Sequence, residues 1–387
     1  MLPCTPATAN ELSELLREQA SRNARVSLMG NRSKHRMAGP ILPADLSIST
    51  CALRRVLDYE PRDLTISIEA GFPFLELQKL LAANGQMIAL DPPFADRATI
   101  GGVVSSNSSG PLRRAYGTAR DLVIGMTFAT LEGKLVKSGG MVVKNVAGLD
   151  MGKLLIGSFG TLAAITSLNF RLHSIPETTQ TFLFTFPDVD SALVKRNSIL
   201  RSVLQPLALD LLSPAAAVRV ARRGFVLALR AGGSETVLNR YRRELDGAEA
   251  LLAADDAVFW RTVQEFTPEF LARQPDGVVM RISTPLQGMP ALLKLIANPF
   301  ICRAANGITY VYASSWGAAS RLWETGAQLG LRAVIEFAPD AVRESEELWR
   351  ILPADGPERE AFVMMERVKQ MFDPGHLLNR NRLYGRI

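Results

Sequence analysis

Short apolar and polar runs follow one another along this chain, and their period switches often between helical and alternating. Thr8-Ala-Asn-Glu11 forms a capping box, and Leu12, Leu15 and Leu16 follow at helical spacing, which predicts a helix near 9–21. Residues 25–29 and 46–49 predict short strands, and 64–70 alternates cleanly into a third that Gly71 ends. Helical periodicity returns from Phe74 to Asn84, with Asn84-Gly85 as its stop signal. Asp91-Pro92-Pro93 forces an extended turn. Strand-like runs at 122–130 and 134–136 flank Glu132-Gly133, a hairpin turn. Asp150 is placed to cap a short helix over 151–156, and 162–172 predicts a strand.

Pro176 marks a boundary, after which the composition changes. Strands are predicted at 182–186 and 224–230, and helices at 188–203 and 234–252. The mixture continues through 278–283, 289–296, 309–313, 318–329 and 333–337, and a last helix spans 357–371. Strands alternating with helices, with few glycine-rich loops, predict an α+β layer on one sheet. The expected division is 1–176, 177–354 and a C-terminal segment, 355–387. Trp260, Trp316, Trp323 and Trp349 all fall in the second half and are expected in its core or at an interface. There is no internal repeat and no low-complexity segment.

Composition narrows the class. The 387 residues can bury a sizeable core, and 47% hydrophobic with 21% charged content is that of a soluble globular protein. No apolar run reaches the length of a bilayer span. The start, Met-Leu-Pro-Cys-Thr-Pro, has neither the basic region nor the apolar core of a secretory signal. Cys4, Cys51 and Cys302 lie too far apart in sequence to supply a Cys-x-x-Cys or an iron–sulfur site, and a cytoplasmic location follows as the default. The net charge of +6 suits anionic ligands. Its arginine clusters lack aromatic interleaving and any nucleic-acid motif, so no nucleic-acid partner is expected.

Candidate chemistry concentrates in residues 99–165. The stretch opens Thr99-Ile-Gly-Gly-Val-Val-Ser-Ser-Asn-Ser-Ser-Gly110, passes Tyr116-Gly117, and reaches Gly157-Ser-Phe-Gly-Thr-Leu162. Glycines let backbone approach a ligand closely, and exposed N–H groups and hydroxyls donate to an anion. Upstream, Gly30-Asn-Arg-Ser-Lys-His-Arg36 follows a strand and is a candidate pyrophosphate nest, though a plain surface turn reads the same way. No Gly-x-Gly-x-x-Gly opens a helix after a strand, and no P-loop is present.

These pieces, with Arg120-Asp121, Val143-Lys-Asn-Val-Ala-Gly148 and the tail Phe372-Asp-Pro-Gly-His-Leu-Leu-Asn379, resemble the vanillyl-alcohol-oxidase (PCMH-type) FAD-binding superfamily. Within it the phrases Ser109-Gly-Pro-Leu-Arg-Arg114, Arg120-Asp-Leu-Val-Ile-Gly125 and Val143–Gly148 ahead of Asp150 are similar to the FAD-binding subunits of bacterial glycolate oxidase (glycolate dehydrogenase). The resemblance implies an α+β fold: a two-subdomain PCMH-type FAD domain holding the cofactor, an α+β cap domain, and a tail that returns to the FAD domain. It implies that Gly30, Asn31, Arg32, Ser33 and Lys34 cradle the pyrophosphate. Thr99, Ile100, Gly101 and Gly102 would run beside the phosphates and ribityl chain. Ser105, Asn107 and Gly110 would line the flavin's approach, Tyr116 and Gly117 would also bind the cofactor, Gly160, Thr161 and Ile165 would hold the adenosine side or the isoalloxazine flank, and Asn379 would lie toward the ring. Two departures touch local contacts: Leu149 replaces an aromatic residue before Asp150, and Arg380-Asn381 follows Leu-Asn where relatives have Pro-Gly. His35 does not follow a glycine pair, so FAD is expected to be non-covalent.

A flavin oxidising a 2-hydroxy acid needs a base for the hydroxyl proton and a cation or metal for the carboxylate. Related catalytic subunits carry a His-x-His cluster, whereas His35, His173 and His376 here have no ligand spacing, so no metal is expected. Arg113, Arg114 and Lys144 are the candidate catalytic cations. The resemblance thus implies a flavoprotein subunit that works with a catalytic FAD subunit and an iron–sulfur subunit, peripheral on the cytoplasmic face of a membrane through those partners. Two alternatives stay open. One is a self-sufficient FAD-dependent oxidase or dehydrogenase of a hydroxy acid, alcohol or lactone, with Glu336 or Tyr310 as base. The other is an FAD-free assembly scaffold.

Overall fold

A computed structural model describes residues 2–141, 150–251, 253–350, 357–385 and 387. The chain forms two compact units: Met1–Ser109 with Gly117–Ile175 and Pro353–Ile387, and Gly110–Tyr116 with Pro176–Leu352.

The first unit begins with the helix Ala9–Ser21, where Thr8 Oγ1 accepts from the Glu11 N–H at 3.1 Å. Its Leu12 and Leu16 are buried, in one cluster with Val26, Ile48, Leu377 and Leu378. The strands Val26–Met29 and Leu46–Ser49 pair in parallel. Cys4 bridges to Ile48 and Leu378 bridges to Val26, so both chain ends extend this small ladder. A five-stranded antiparallel sheet completes the unit, in the order Val56–Glu60, Thr65–Glu69, Ala164–Arg171, Val123–Ala129, Leu135–Gly139. The alternation at 64–70 predicts one wet face, yet all five residues of Thr65–Glu69 are buried. Glu69 tolerates this because its carboxylate accepts from the Arg55 N–H and guanidinium.

The second unit holds an eight-stranded antiparallel sheet, ordered Glu249–Ala250, Thr178–Phe186, Phe225–Gly233, Ala208–Leu212, Phe300–Arg303, Ile308–Ala313, Val278–Ser283, Arg332–Phe337. Alternate strand residues such as Phe182, Leu209, Leu227, Met280 and Val311 meet buried Leu193, Leu238, Leu292 and Trp323 from helices on one face. Trp260 and Trp323 are buried, and Trp316 and Trp349 pack partly buried against the core. The helix expected over 234–252 stops at Glu244, because Gly247 turns with φ +76° and Glu249–Ala250 joins the sheet edge. Ala208–Leu212, Phe300–Arg303 and the helices Ala253–Gln264 and Phe266–Arg273 went unread in the sequence.

One boundary is corrected. Residues 110–116 do not group with 1–176. Their short helix, Arg113–Tyr116, contacts the strand Ala208–Leu212, and Arg114 Nη2 donates to Gln205 Oε1 at 3.4 Å. The motif Val143–Gly148 and Lys144 lie outside the described residues.

Candidate functional site

The first unit contains two adjoining clefts. The larger spans about 840 Å³ of empty space, part of it open to solvent. It is floored by the strand Val26–Met29 and walled by Gly30–His35, Thr99, Gly102, Ser105 and Phe159, with Asn379, Arg380 and Arg382 from the tail. The smaller, about 420 Å³, shares Leu28, Met29, Gly30, Gly102, Ser105 and Phe159, and adds Gly101, Gly160 and Ile165.

Local chemistry explains the shape. A Cβ on Gly30 would stand 2.3 Å from Thr99 Oγ1, so only glycine lets the loop pass that hydroxyl. Thr99 Oγ1 in turn accepts from the Gly102 N–H at 3.2 Å and caps the helix Ile100–Ser105. Asn31 Nδ2 donates to the Arg97 carbonyl at 3.0 Å, tying the loop to the same segment. Gly101 wedges against Ala70, where a Cβ would come 2.8 Å from the carbonyl oxygen. Gly102 differs: its Cβ would meet Thr99 Oγ1 alone, at 3.1 Å, and the residue lines both clefts.

The tail is held by a buried ion pair. Lys369 Nζ donates to Asp373 Oδ2 at 2.5 Å, to the Thr161 carbonyl at 2.7 Å and to the Leu378 carbonyl at 3.2 Å. Asp373 accepts from the N–H groups of Leu377 and Leu378, both at 2.8 Å. Burial pulls the Lys369 ammonium below its ordinary value, against the opposing pull of Asp373. Arg382 donates to the carbonyls of Gly39 at 2.5 Å and Met37 at 2.7 Å, and its guanidinium lies 5.7 Å from the Phe159 ring.

Electrostatically the large cleft is one-signed. Arg32, Lys34, Arg380 and Arg382 line it and no Asp or Glu does. Backbone kept bare by Gly30 and Gly102, hydroxyls and fixed cations form a cradle for a diphosphate, and Ile41, Leu42 and Ala44 offer an apolar side. A flavin dinucleotide therefore suits these residues.

The sequence-named residues divide. Gly30, Asn31, Arg32, Ser33, Lys34, Thr99, Gly101, Gly102, Ser105, Gly160, Ile165 and Asn379 come together at the clefts. Ile100 and Thr161 are fully buried and turn into the packing instead. Asn107, exposed with φ +47°, follows the end of the helix Ile100–Ser105. Gly117, with φ +82°, makes room for the Asp121 carboxylate that caps Thr118. Gly110 and Tyr116 belong to the second unit, as do Arg113 and Arg114. Asn379 faces the cleft, but its amide is spent on backbone. Phe159, Ser106, Arg380 and Arg382 were missed; Arg380 stands at the departure from the family's Pro-Gly that the sequence displays, and Arg382 lies two residues on. Among the described residues no group of three or more His, Cys, Asp or Glu is placed to hold a metal ion, and no helix is long and apolar enough to cross a membrane.

Comparison with known proteins agrees with the chemistry of the clefts. An FAD-binding domain family matches residues 3–139. Glycolate oxidase subunit GlcE of Escherichia coli is 26% identical over 97% of this chain and 97% of its own length. Glycolate oxidase subunit GlcD of Bacillus subtilis is 27% identical over 67% of this chain and 56% of its own. Residues 3–139 thus carry an FAD-binding domain of the PCMH type. The chain binds FAD and is an FAD-dependent oxidoreductase. A mitochondrial D-lactate dehydrogenase of Arabidopsis thaliana shares 34% identity over 43% of this chain, but only 29% of that enzyme is covered. The PCMH-type fold extends beyond the matched domain. The structure of p-cresol methylhydroxylase superposes with a TM-score of 0.75 at 12% identity, covering 98% of this chain and 87% of that one.

Proposed function

We propose that this chain is the FAD-binding subunit of a glycolate-oxidising complex, acting with a catalytic flavoprotein subunit and an iron–sulfur subunit. The observation that carries the reading is a cation-lined, glycine-walled cleft in a chain whose likeness to a glycolate oxidase subunit runs end to end. In this reading the N–H groups of Gly30–Lys34 and the side chains of Arg32, Lys34, Arg380 and Arg382 hold the diphosphate. Such charge-assisted bonds contribute about 1.5–3 kcal/mol each. Gly101, Gly102 and Ser105 run beside the sugar alcohol, and Gly160 and Ile165 flank the ring. When bound, FAD accepts two electrons from a substrate carbon and passes them on. The chain offers no cluster-binding cysteines for the next step, since Cys4 is exposed, Cys51 half-buried and Cys302 buried far along the sequence. The electrons therefore leave through a partner or a soluble acceptor.

A self-sufficient oxidase is the weaker reading. Of its candidate bases, Glu336 lies 4.0 Å from Arg281, and burial holds the Tyr310 phenol protonated above its usual range. A phenol held protonated does not take a hydroxyl proton near neutral pH. The decisive assay compares the chain alone with the chain co-expressed with both partner subunits, using glycolate and an artificial acceptor. Turnover confined to the assembled complex is expected. Rapid glycolate oxidation by the isolated chain would overturn the subunit reading.

A further inference from the structure

Lys369 stands behind both FAD clefts and lines neither. It lies on the helix Pro357–Phe372 and is fully buried together with Asp373. An ammonium has three donors, and here each has an acceptor: Asp373 Oδ2 and the carbonyls of Thr161 and Leu378. Both carbonyls sit one residue from a cleft wall. Gly160, beside Thr161, lines the smaller cleft, and Asn379, beside Leu378, lines the larger. The two walls also meet directly. A Cβ on Gly160 would stand 2.8 Å from Asn379 Nδ2, and that amide donates to the Phe159 carbonyl.

The backbone gripped in this way is strained. Phe159, which lines both clefts, has φ +54°, and Asn379 has φ +37°. Side chains as bulky as Phe hold the left-handed region only where the surroundings over-determine it. The ammonium supplies one such constraint two residues after Phe159 and another one residue before Asn379. Well-packed apolar side chains could fill the same buried volume at no loss of stability. They could not donate to the Thr161 and Leu378 carbonyls together. What the ammonium adds is a common donor that fixes the turn 157–161 against the tail.

We propose that Lys369 is a positioning residue for the flavin: it sets the spacing between the Gly160 turn and the returning tail, and so the separation of the walls that receive the cofactor. It acts through the two carbonyls it holds. The role goes beyond the subunit reading, because it is the same whichever substrate the flavin oxidises, and it rests on the placement of FAD along these clefts.

The test is FAD titration of the deflavinated chain, followed by visible circular dichroism of the bound flavin. Lys369→Met/Asp373→Leu removes the donors without leaving a buried charge. It is expected to bind FAD at least about 10-fold more weakly than the parent and to change the flavin's dichroic bands. Thr8→Ala, which removes the cap of the helix Ala9–Ser21 in the same unit, is the stability control. It is expected to lower the unfolding midpoint and to keep the parent's FAD affinity and bands. A double variant with the parent's affinity and bands would overturn the proposal. So would affinity that falls in step with the unfolding midpoint in both variants, with the bands unchanged. Hydrogen exchange of the parent reads the same coupling without a substitution. Removing FAD is expected to speed exchange of the Leu377 and Leu378 amides that Asp373 holds, and unchanged exchange there would count against the role. The cofactor's placement is read separately by Gly102→Val, so the two failures are distinguishable.

Discussion

Asn379 and Leu28 pair through a side chain acting as backbone. Asn379 Oδ1 accepts from the Leu28 N–H at 2.7 Å, and its Nδ2 donates to the Leu28 carbonyl at 3.0 Å and to the Phe159 carbonyl at 2.6 Å. The tail thus fixes the strand that floors the large cleft. Asn379→Ala leaves those backbone groups unpaired and is expected to cost about 2–4 kcal/mol. Thermal denaturation checks this, with a fall in retained FAD accompanying the lower midpoint.

Lys369 and Asp373 give a second prediction. Both are fully buried, so Lys369→Met strands a carboxylate and is expected to destabilise by about 3–5 kcal/mol. Urea unfolding of Lys369→Met against the double variant Lys369→Met/Asp373→Leu reads the difference. The double variant should recover part of the loss.

Alkaline pH tests the second unit's core. Burial pushes the Cys302 thiol up to about 12 from 9.0, and the buried Tyr312 phenol is raised as well. The unfolded chain therefore releases these protons first. Stability is whole below pH 9 and falls as pH rises from 9 toward 12 for the thiol. Urea midpoints measured from pH 8 to 11 should decline, and Cys302→Ser should make the decline shallower.

Much of this was legible in the chain because local signals and tertiary demands coincide. Thr8 and Glu11 announce the first helix, and Gly85 and Gly133 mark turns at φ +65° and +77°. What stayed hidden depends on distant partners. Ala208–Leu212 reads as a bland apolar run until Asp210 finds Arg303 far along the chain. The helix Ile100–Ser105 is too glycine-rich to announce itself and is made by the Thr99 cap. The resemblance implied a cofactor contact for Thr161, but its hydroxyl bonds the Ser158 carbonyl and its own carbonyl takes Lys369. Glycine spacing locates a close approach without saying whether ligand or protein makes it.

The cofactor's attachment is tested by denaturing the yellow protein with acid. His35 Nδ1 sits 3.3 Å from the Arg32 carbonyl in the loop that walls the cleft. Non-covalent FAD is expected to leave with the supernatant. Colour retained in the washed precipitate would show a covalent link.

The most direct measurement is flavin stoichiometry in Gly102→Val beside Gly101→Val. A side chain at 101 strikes the Ala70 backbone and should unfold the region, whereas one at 102 meets only Thr99 Oγ1 and enters the clefts. Gly102→Val is expected to keep its circular dichroism and lose the flavin absorption band. A folded Gly102→Val that still carries one FAD per chain would contradict the placement of the cofactor against this backbone.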